Sequence, residues 1–451
     1  MPRQTMFEPL EKRDLFAVTV GATVNATAWG GNQVEGQIAI NSANPNNLVV
    51  VNNTDWSNGS QVIVSRSLDG GRTWGKTLIT SAQDRLITNT PRVDARAVFD
   101  SYGNLYVAYM CGASYTETRI VVARSTDGGG SFAAGNVTYA IAGTHFDPDA
   151  PALATGINPA GGQAVWMSFT DYKARRVRVV SATATGLGRW TNFGNLTTVS
   201  DRWGSYSSIS VGPSGQVAVA YQADDSTQGP SALYVDVDPD GLGKGRFGAD
   251  VLVSTTNVGG WDYIPAQPNR SIDAEPKVAF DRSNKSTRGR LYFLYTDENG
   301  NETNDTDIFL RYSADNGRTW TARKRVNDDA TRTSQFLPAL SVDPVTGFVG
   351  ATWYDARASA NNTAVQYYGA VSTNGGVSFT ANFRISAGTS AQAGASYTSA
   401  QMGDLDLGDS TSVVFYNGKL IPVWADNSNS TLNNPDGTRK FDLYTAIVVV
   451  S

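Results

Sequence analysis

The chain has 451 residues and a net charge of −5, and it lacks the dense Lys/Arg patch that phosphate binding requires, which argues against nucleic acid as a partner. A single cysteine, Cys111, excludes an internal disulfide, and a single histidine, His145, disfavours a Ser/His/Asp triad and most histidine-based metal sites. No apolar run is long enough to span a membrane, and 45 Gly, 19 Tyr and 10 Trp indicate short strands and tight turns with little helix.

Residues 1–16 precede the repeating part of the chain and are predicted to lie outside the folded domain. Residues 7–16 read FEPLEKRDLF, which resembles the Leu-Glu-Pro-Arg-x-Leu-Leu type of N-terminal segment on some exported bacterial proteins. This resemblance implies a targeting or anchoring segment and a secreted or cell-surface protein. The folded domain is then residues 17–451, and it begins with the alternating stretch 17–24 (AVTVGATV), which has no partner strand nearby.

One short pattern occurs four times: SLDGGRTW at 67–74, STDGGGSF at 125–132, SADNGRTW at 313–320 and STNGGVSF at 372–379. Alternating apolar runs flank each copy, so each is predicted to be a hairpin turn in which Asp and Ser bond the backbone and Gly supplies positive φ. The first two copies lie 58 residues apart and the last two 59, and the gap between the pairs holds three such steps. The repeat therefore spans most of the chain.

A second signal recurs where the turn pattern is missing. A turn residue is followed eight positions later by Asp at the end of an aromatic strand, and close variants occur in other modules. These pairs are Asn47 and Asp55, Gly289 and Asp297, Gly347 and Asp355, and Gly418 and Asp426, with variants ending at Cys111 and just before Asp171 and Asp224. Together the signals predict an all-β, seven-bladed β-propeller with four-stranded antiparallel blades, with six or eight blades as alternatives.

The last module, from about Asp404, supplies only three strands. A fourth strand donated by residues 17–24 would close the ring and leave no long unprotected edge. The turn pattern itself resembles the Asp-box of sialidases and related β-propellers. That resemblance covers most of the chain at the level of the repeat, and it implies that the turns are structural.

Two sets of carboxylates are predicted to converge on the face opposite the repeated turns. One set precedes the inner strands: Glu35, Asp94, Asp147, Asp149, Asp273, Glu275, Asp404 and Asp406. The other ends the second strands: Asp55, Asp171, Asp224, Asp297, Asp355 and Asp426. Such a ring fits a general acid and base, a Ca²⁺ site, or residues that cap turns and join blades. Because the second set recurs in so many blades, capping is favoured for it, whereas Glu275 and Arg357 depart from the repeat.

The sialidase resemblance implies three arginines on a substrate carboxylate, a Tyr nucleophile with a Glu partner, and an Asp acid/base. Several residues that are predicted to lie on the acidic face are of these types, and they are candidates for these roles. They are Tyr206, Tyr354 and Tyr397 for the nucleophile, Glu275 for its partner, Asp94 or Asp149 for the acid, and Arg92, Arg202, Arg332 and Arg357 for the carboxylate. A ring of Asp would disfavour an anionic ligand, so another carbohydrate-active role and a noncatalytic binding or cell-surface role stay open.

Aromatic residues supply further candidates. Trp203, Trp261 and Tyr263 are predicted to overhang the acidic face, where they would stack on a sugar or close loops over the core. Asp355 is grouped with them as a binding candidate.

The string Asp236–Gly241 (DVDPDG) matches the beginning of a calcium loop, but Phe247 occupies the position of the bidentate Glu, so a degenerate turn is favoured. The sequence thus predicts a monomer that acts on or binds a glycan, with no required cofactor and Ca²⁺ as an option.

Overall fold

The structure is a computed structural model that describes residues 16–54, 61–86, 90–112, 118–223, 227–391 and 406–451. Its described part forms seven antiparallel sheets arranged as the blades of a β-propeller, and helix is confined to Ser81–Asp84 (α1) and one 3₁₀ turn at Ala134–Asn136. The predicted seven-bladed, all-β architecture with four-stranded antiparallel blades is confirmed.

Two short strands, β1 and β2, precede the first blade, and each blade then runs from an inner to an outer strand. The N-terminal strands are β1 (Val18–Val20) and β2 (Val24–Asn25). Blade one holds β3 (Gln33–Ile40), β4 (Leu48–Thr54), β5 (Val62–Ser67) and β6 (Gly75–Ile79); blade two holds β7 (Arg92–Phe99), β8 (Leu105–Cys111), β9 (Arg119–Ser125) and β10 (Val137–Ile141). Blade three holds β11 (Pro148–Ile157), β12 (Gln163–Asp171), β13 (Arg176–Gly186) and an outer edge of β14 (Arg189–Trp190) and β15 (Gly194–Thr198).

The second half of the ring follows the same order, with one insertion between blades four and five. Blade four holds β16 (Gly204–Val211), β17 (Val217–Ala223), β18 (Ser231–Asp238) and β19 (Val251–Thr256), and the inserted hairpin holds β20 (Asp262–Ile264) and β21 (Gln267–Ile272). Blade five holds β22 (Lys277–Phe280), β23 (Leu291–Glu298), β24 (Thr306–Ser313) and β25 (Lys324–Arg325); blade six holds β26 (Gln335–Val342), β27 (Val349–Asp355), β28 (Ala364–Ser372), β29 (Phe383–Arg384) and β30 (Ser390–Ala391). Blade seven holds β31 (Ser412–Tyr416), β32 (Lys419–Asp426), β33 (Asp442–Thr445) and β34 (Val448–Val450).

Both ends of the chain meet in the seventh blade. Strand β1 pairs antiparallel with β34, with Val18 opposite Val450, and β2 pairs with β33, with Val24 opposite Thr445. The N-terminal strands therefore form the outer strand of a blade whose inner strands come from the C-terminal end. This pairing covers an edge that would otherwise present unpaired backbone groups.

The core lies between the blades and is built on the second strand of each. Strands β4, β8, β27 and almost all of β32 are buried, because their side chains pack against neighbouring blades on both faces. In the core of blades six and seven, Tyr367 and Trp424 stack with ring centroids 5.0 Å apart. The Asp residues that end these strands serve the core: Asp355 Oδ2 accepts from Trp353 Nε1 at 2.9 Å, and Asp426 Oδ2 accepts from Trp424 Nε1 at 3.1 Å.

The four repeated turns share one hydrogen-bond pattern. In the third copy, Ser313 Oγ donates to Asp315 Oδ1 at 2.7 Å, and Gly317 N donates to Ser313 Oγ at 2.8 Å. The backbone N–H and hydroxyl of Thr319 both donate to the Asp315 carboxylate, at 2.9 and 2.7 Å. These bonds, with the Thr319 hydroxyl first, lower the pKa of Asp315 to about 2. These hydrogen bonds all lie within the turn and stabilise its conformation.

We predict that Asp315→Ala lowers the free energy of unfolding by about 1–2 kcal/mol, because the bonds from Ser313 and Thr319 lose their acceptor. Asp315→Asn is the matched control: the fourth turn carries Asn374 at this position and still accepts from Ser378 N at 3.0 Å. The Asn variant should lose less than half as much. Urea unfolding measures both, and an unchanged stability in Asp315→Ala would show that the carboxylate oxygens do not hold the turn.

Candidate functional site

The start of every inner strand carries a left-handed residue. The seven positions correspond from blade to blade, and five of the inner strands show a register shift against the second strand at this point. The residues and their φ angles are Glu35 (57°), Asp94 (55°), Ala150 (46°), Tyr206 (54°), Glu275 (44°), Leu337 (49°) and Gly408 (84°). A non-glycine residue in this region is strained, and a bulge turns its side chain away from the direction that strand alternation would give.

These positions surround a cavity of about 300 Å³ where the seven inner strands converge, here called the central cavity. Its lining is mostly polar, and every blade contributes to it. Its charged and phenolic residues are Asp94, Asp149, Asp273, Glu275, Asp409, Arg96, Arg270, Lys277 and Tyr206. Glu35 lies directly behind this lining and contacts it through Arg270, with 3.1 Å between Glu35 Oε1 and the guanidinium.

Arg270 reaches the cavity because the inserted hairpin is anchored on the seventh blade. The carboxylate of Asp406 accepts the backbone N–H groups of Asn269 and Arg270 at 2.8 and 3.0 Å. Gln267 Nε2 also donates to the carbonyl of Gly408 at 2.8 Å. The hairpin thus links the connection between blades four and five to blades seven and one. The Arg270 guanidinium bridges Glu35 and Asp409.

The carboxyl groups of the cavity have pKa values that differ widely. Burial raises the pKa of Glu275 to about 8, although Lys277 Nζ, 2.5 Å from Glu275 Oε1, opposes the shift. Burial, with the carboxylates of Asp94 and Asp409, raises the pKa of Asp149 to about 7. Burial alone would also raise the pKa of Asp409, but the Arg270 and Arg96 guanidinium groups hold it below its ordinary value. The cavity therefore places carboxyl groups whose pKa values are raised in the same lining as one whose pKa is lowered.

Two further buried carboxyls belong to the same network. Burial raises the pKa of Asp273 to about 7, and Asp273 Oδ1 accepts from the backbone N–H of Glu275 at 2.5 Å. Burial and the Asp409 carboxylate raise the pKa of Glu35 well above its ordinary value. Asn53 joins blades one and two, since its Nδ2 donates to Glu35 and, at 3.1 Å, to Asp94 Oδ1.

Four of the residues predicted for catalysis line the central cavity: Glu275, Tyr206, Asp94 and Asp149. The hydroxyl of Tyr206 donates to the carbonyl of Gly260 at 2.8 Å, at the base of the inserted hairpin. The fifth predicted residue, Tyr397, lies outside the described residues, as do Asp55, Asp224 and Asp404. Tyr354 is buried in the aromatic core and its hydroxyl donates to the carbonyl of Ala425 at 2.9 Å.

The arginines predicted to bind a substrate carboxylate are not among the residues that line this cavity. Arg92 is buried in an ion pair with Asp84 of α1, with 2.7 Å between Nε and Oδ2. Arg357 lies between Asp355 and Asp328, at 2.8 and 3.0 Å. Arg332 is exposed. Arg202, the fourth of these arginines, forms an ion pair with Asp250, with 3.2 Å between Nε and Oδ2.

The predicted binding aromatics are also outside the cavity lining. Trp203 packs edge-on against Tyr172, with ring centroids 5.3 Å apart. Trp261 and Tyr263 are 49% and 43% exposed and belong to the inserted hairpin and its base. Asp355, grouped with them, bonds Trp353 and Arg357 in the sixth blade.

The cations that do line the cavity were not identified from the sequence. Arg96 and Lys277 each lie two residues after a left-handed acid, Asp94 and Glu275. An alignment of the inner strands would have shown that shared spacing. Arg270 carries no such signal, because its position depends on contacts with Asp406 more than a hundred residues away.

Within the described ranges, no group of three or more His, Cys, Asp or Glu side chains is arranged to hold a metal ion. The calcium-like string forms a turn in which Asp238 Oδ1 accepts from Gly241 N at 2.9 Å and Asp236 Oδ1 accepts from Gly248 N at 2.9 Å. None of the helices in the described part of the chain is long and apolar enough to cross a membrane.

Comparison with known proteins supports the fold. No model of a protein family and no curated protein matches the sequence. Among solved structures, a protein of unknown function from Dyadobacter fermentans DSM 18053 is 12% identical, with 96% of this chain and 99% of that chain covered and a TM-score of 0.50. The phage phi92 endosialidase is 13% identical, with 96% and 69% covered and a TM-score of 0.51. The GH93 α-L-arabinofuranosidase of Fusarium graminearum is 11% identical, with 96% and 98% covered and a TM-score of 0.48. At such identities the likeness to the Dyadobacter protein and to the endosialidase shows the fold alone.

The base of the inserted hairpin holds one more buried carboxyl. Asp262 is 3% exposed, and its Oδ2 has no hydrogen-bond partner among the described residues. Burial, and then the carboxylates of Glu298 and Glu302, raise its pKa to about 8. In the unfolded chain the same group would titrate near its ordinary value of about 3.9.

We predict that Asp262 makes the protein less stable as the pH rises from about 4 to about 8. Over that range the unfolded chain loses this proton while the folded chain keeps it, so the free energy of unfolding falls. Asp262→Asn should therefore raise the free energy of unfolding at pH 7 by at least about 1 kcal/mol and leave it unchanged near pH 3. Urea unfolding at both pH values measures the effect, and an equal change at both would contradict it.

Proposed function

We propose that this protein binds a glycan in the central cavity and hydrolyses a glycosidic bond there. The observation that carries the proposal is the set of carboxyl groups around one cavity, in which Glu275 and Asp149 have raised pKa values beside Asp409, whose pKa is lowered. Glycoside hydrolysis needs two such carboxyl groups, one protonated and one ionised, at the same bond.

Glu275 fits the role of proton donor. The residue is 4% exposed and lines the cavity beside Lys277. It would give its proton to the glycosidic oxygen as the bond to the anomeric carbon breaks. The ionised carboxylate of Asp409 would stabilise the positive charge that develops on the sugar ring, and it would take the proton from the water that attacks the anomeric carbon.

The charges in the cavity favour a neutral glycan over an acidic one. Lys277 is paired with Glu275, and Arg270 with Glu35 and Asp409. A substrate carboxylate would have to displace these partners. The arrangement of three arginines that the sialidase resemblance implies is not formed by Arg92 and Arg357, whose guanidinium groups have partners elsewhere. We therefore propose a glycosidase of the Asp-box propeller type that acts on neutral sugars.

A noncatalytic glycan-binding protein is the second candidate. The same ion pairs favour it, since Glu275 and Arg270 both sit in bridges that a purely structural or binding role would preserve. In both cases the segment 1–16 supports the proposal that the protein is secreted or held at the cell surface, where it would meet glycans as a monomer.

To test the proposal, the full-length protein is incubated with a panel of neutral and sialylated oligosaccharides, and products are identified by mass spectrometry. We predict cleavage of a neutral glycan, a loss of at least about a hundredfold in kcat/KM for Glu275→Gln, and loss of activity above about pH 8 as Glu275 ionises. The control is Arg332→Ala, an exposed residue outside the cavity, which should keep full activity.

Each other outcome decides between the candidates. Binding of a glycan without cleavage would favour the noncatalytic alternative. Cleavage of sialylated glycans only, with loss of activity in Arg332→Ala, would overturn the neutral-glycan proposal and support the three-arginine arrangement. No binding and no cleavage across the panel would overturn both.

A further inference from the structure

The axial channel continues beyond the central cavity into a second space of about 570 Å³, here called the far cavity. All seven inner strands contribute to its lining, each with residues from the second half of the strand. The two cavities have six lining residues in common: Gln37, Ala97, Leu153, Ile209, Leu340 and Ser412. They are therefore consecutive sections of one channel along the axis of the ring.

The far cavity opens toward the face that carries the repeated turns. The connection after β3 contacts the first of these turns, since Gly70 N donates to the carbonyl of Asn46 at 2.9 Å. The carboxyl groups of the central cavity lie near the other ends of the inner strands, and none of them lines the far cavity. The two sections of the channel therefore differ in their chemistry.

Arg282 is the one charged residue in the described lining of the far cavity. It follows β22 in blade five, and its Nη1 donates to the carbonyl of Thr155 in blade three at 2.8 Å. The side chain therefore extends past blade four along one side of the channel. Its surface is accessible, so a molecule inside the cavity can contact it.

The guanidinium of Arg282 is desolvated without gaining an anion. The surrounding protein lowers its pKa by desolvation, and no acid among the described residues opposes that shift. Nε and Nη2 form one edge of the planar group, and no described group accepts a hydrogen bond from either. A cation that loses water without a partner is destabilised, so an anion from solution would gain from binding here.

The rest of the described lining is uncharged and includes apolar side chains from several blades. Val98, Leu153, Val342 and Val414 line the cavity and are half-buried, so each keeps accessible surface. One guanidinium balances a single negative charge, and apolar walls favour a ligand with an apolar body. These features together favour an organic monoanion over a multiply charged inorganic ion.

We propose that the far cavity binds a small aliphatic monocarboxylate, whose two oxygens accept from Nε and Nη2 of Arg282 while its chain contacts the apolar walls. A planar guanidinium matches the geometry of a carboxylate in this paired arrangement. The volume of the cavity lies within the range of small-molecule sites. This site does not depend on the glycan or on the chemistry proposed for the central cavity.

The test is a calorimetric titration of the full-length protein at pH 7 with hexanoate, hexanamide and inorganic phosphate, each to tens of millimolar. Hexanamide has the shape of hexanoate without its charge, and phosphate has charge without an apolar chain. We expect hexanoate to bind saturably and at least about tenfold more tightly than either of the others. This comparison uses the unaltered protein, so it does not depend on the folding of a variant.

Two variants locate the site. Arg282→Met keeps an unbranched side chain and removes the charge, and it should weaken hexanoate binding by at least about tenfold. Lys285→Met is the matched control, because Lys285 is an exposed cation of the same turn that does not line the far cavity, and this variant should bind hexanoate as the unaltered protein does. Equal affinity for hexanamide, tighter binding of phosphate, unchanged affinity in Arg282→Met, or no binding of hexanoate would each overturn the proposal.

Discussion

The left-handed residue at the start of each inner strand is the constraint on which the central cavity depends. Regular strand alternation would send successive side chains to opposite faces of a blade. The bulges at Glu35, Asp94, Ala150 and Tyr206 break that alternation at the same point of their blades. Each such conformation costs about 1–3 kcal/mol and persists only where paired strands on both sides hold it. The strained conformation recurs around the ring. It occurs at the same positions where the fold groups the polar side chains of the cavity.

Charge balance in the cavity then depends on contacts between distant parts of the chain. The six acids Glu35, Asp94, Asp149, Asp273, Glu275 and Asp409 are met by Arg96, Arg270 and Lys277. Arg270 would not be there without the hairpin between blades four and five and its anchor on Asp406. Its guanidinium lowers the pKa of Asp409, whereas burial raises the pKa of Glu275. One cavity lining thereby contains a carboxyl group whose pKa is raised and another whose pKa is lowered.

Much of the fold could be predicted from the sequence, because a propeller repeats its local chemistry. The spacing of the turns at Asp69, Asp127, Asp315 and Asn374 gave the blade length, and the Asp residues that end the second strands located the blades without a turn. The acids at the starts of inner strands could be grouped for the same reason, and the structure places Asp94, Asp149 and Glu275 in one lining.

The partners of the arginines could not be predicted in this way. Arg92 pairs with Asp84 of a short helix that has no counterpart in the other blades, and Arg270 sits on an insertion. Ion pairs of this kind are set by tertiary contacts that leave no periodic mark in the sequence.

The most direct test of this account is a titration of the glutamate carboxyl groups by ¹³C NMR on protein labelled only at Glu. The chain has seven Glu, so the spectrum is simple, and Glu275→Gln identifies one signal by its loss. We predict that the Glu275 carboxyl titrates near 8, because burial raises its pKa. A midpoint near 4 for that signal, like the midpoint of a carboxyl in water, would show that the cavity holds no proton donor at this position.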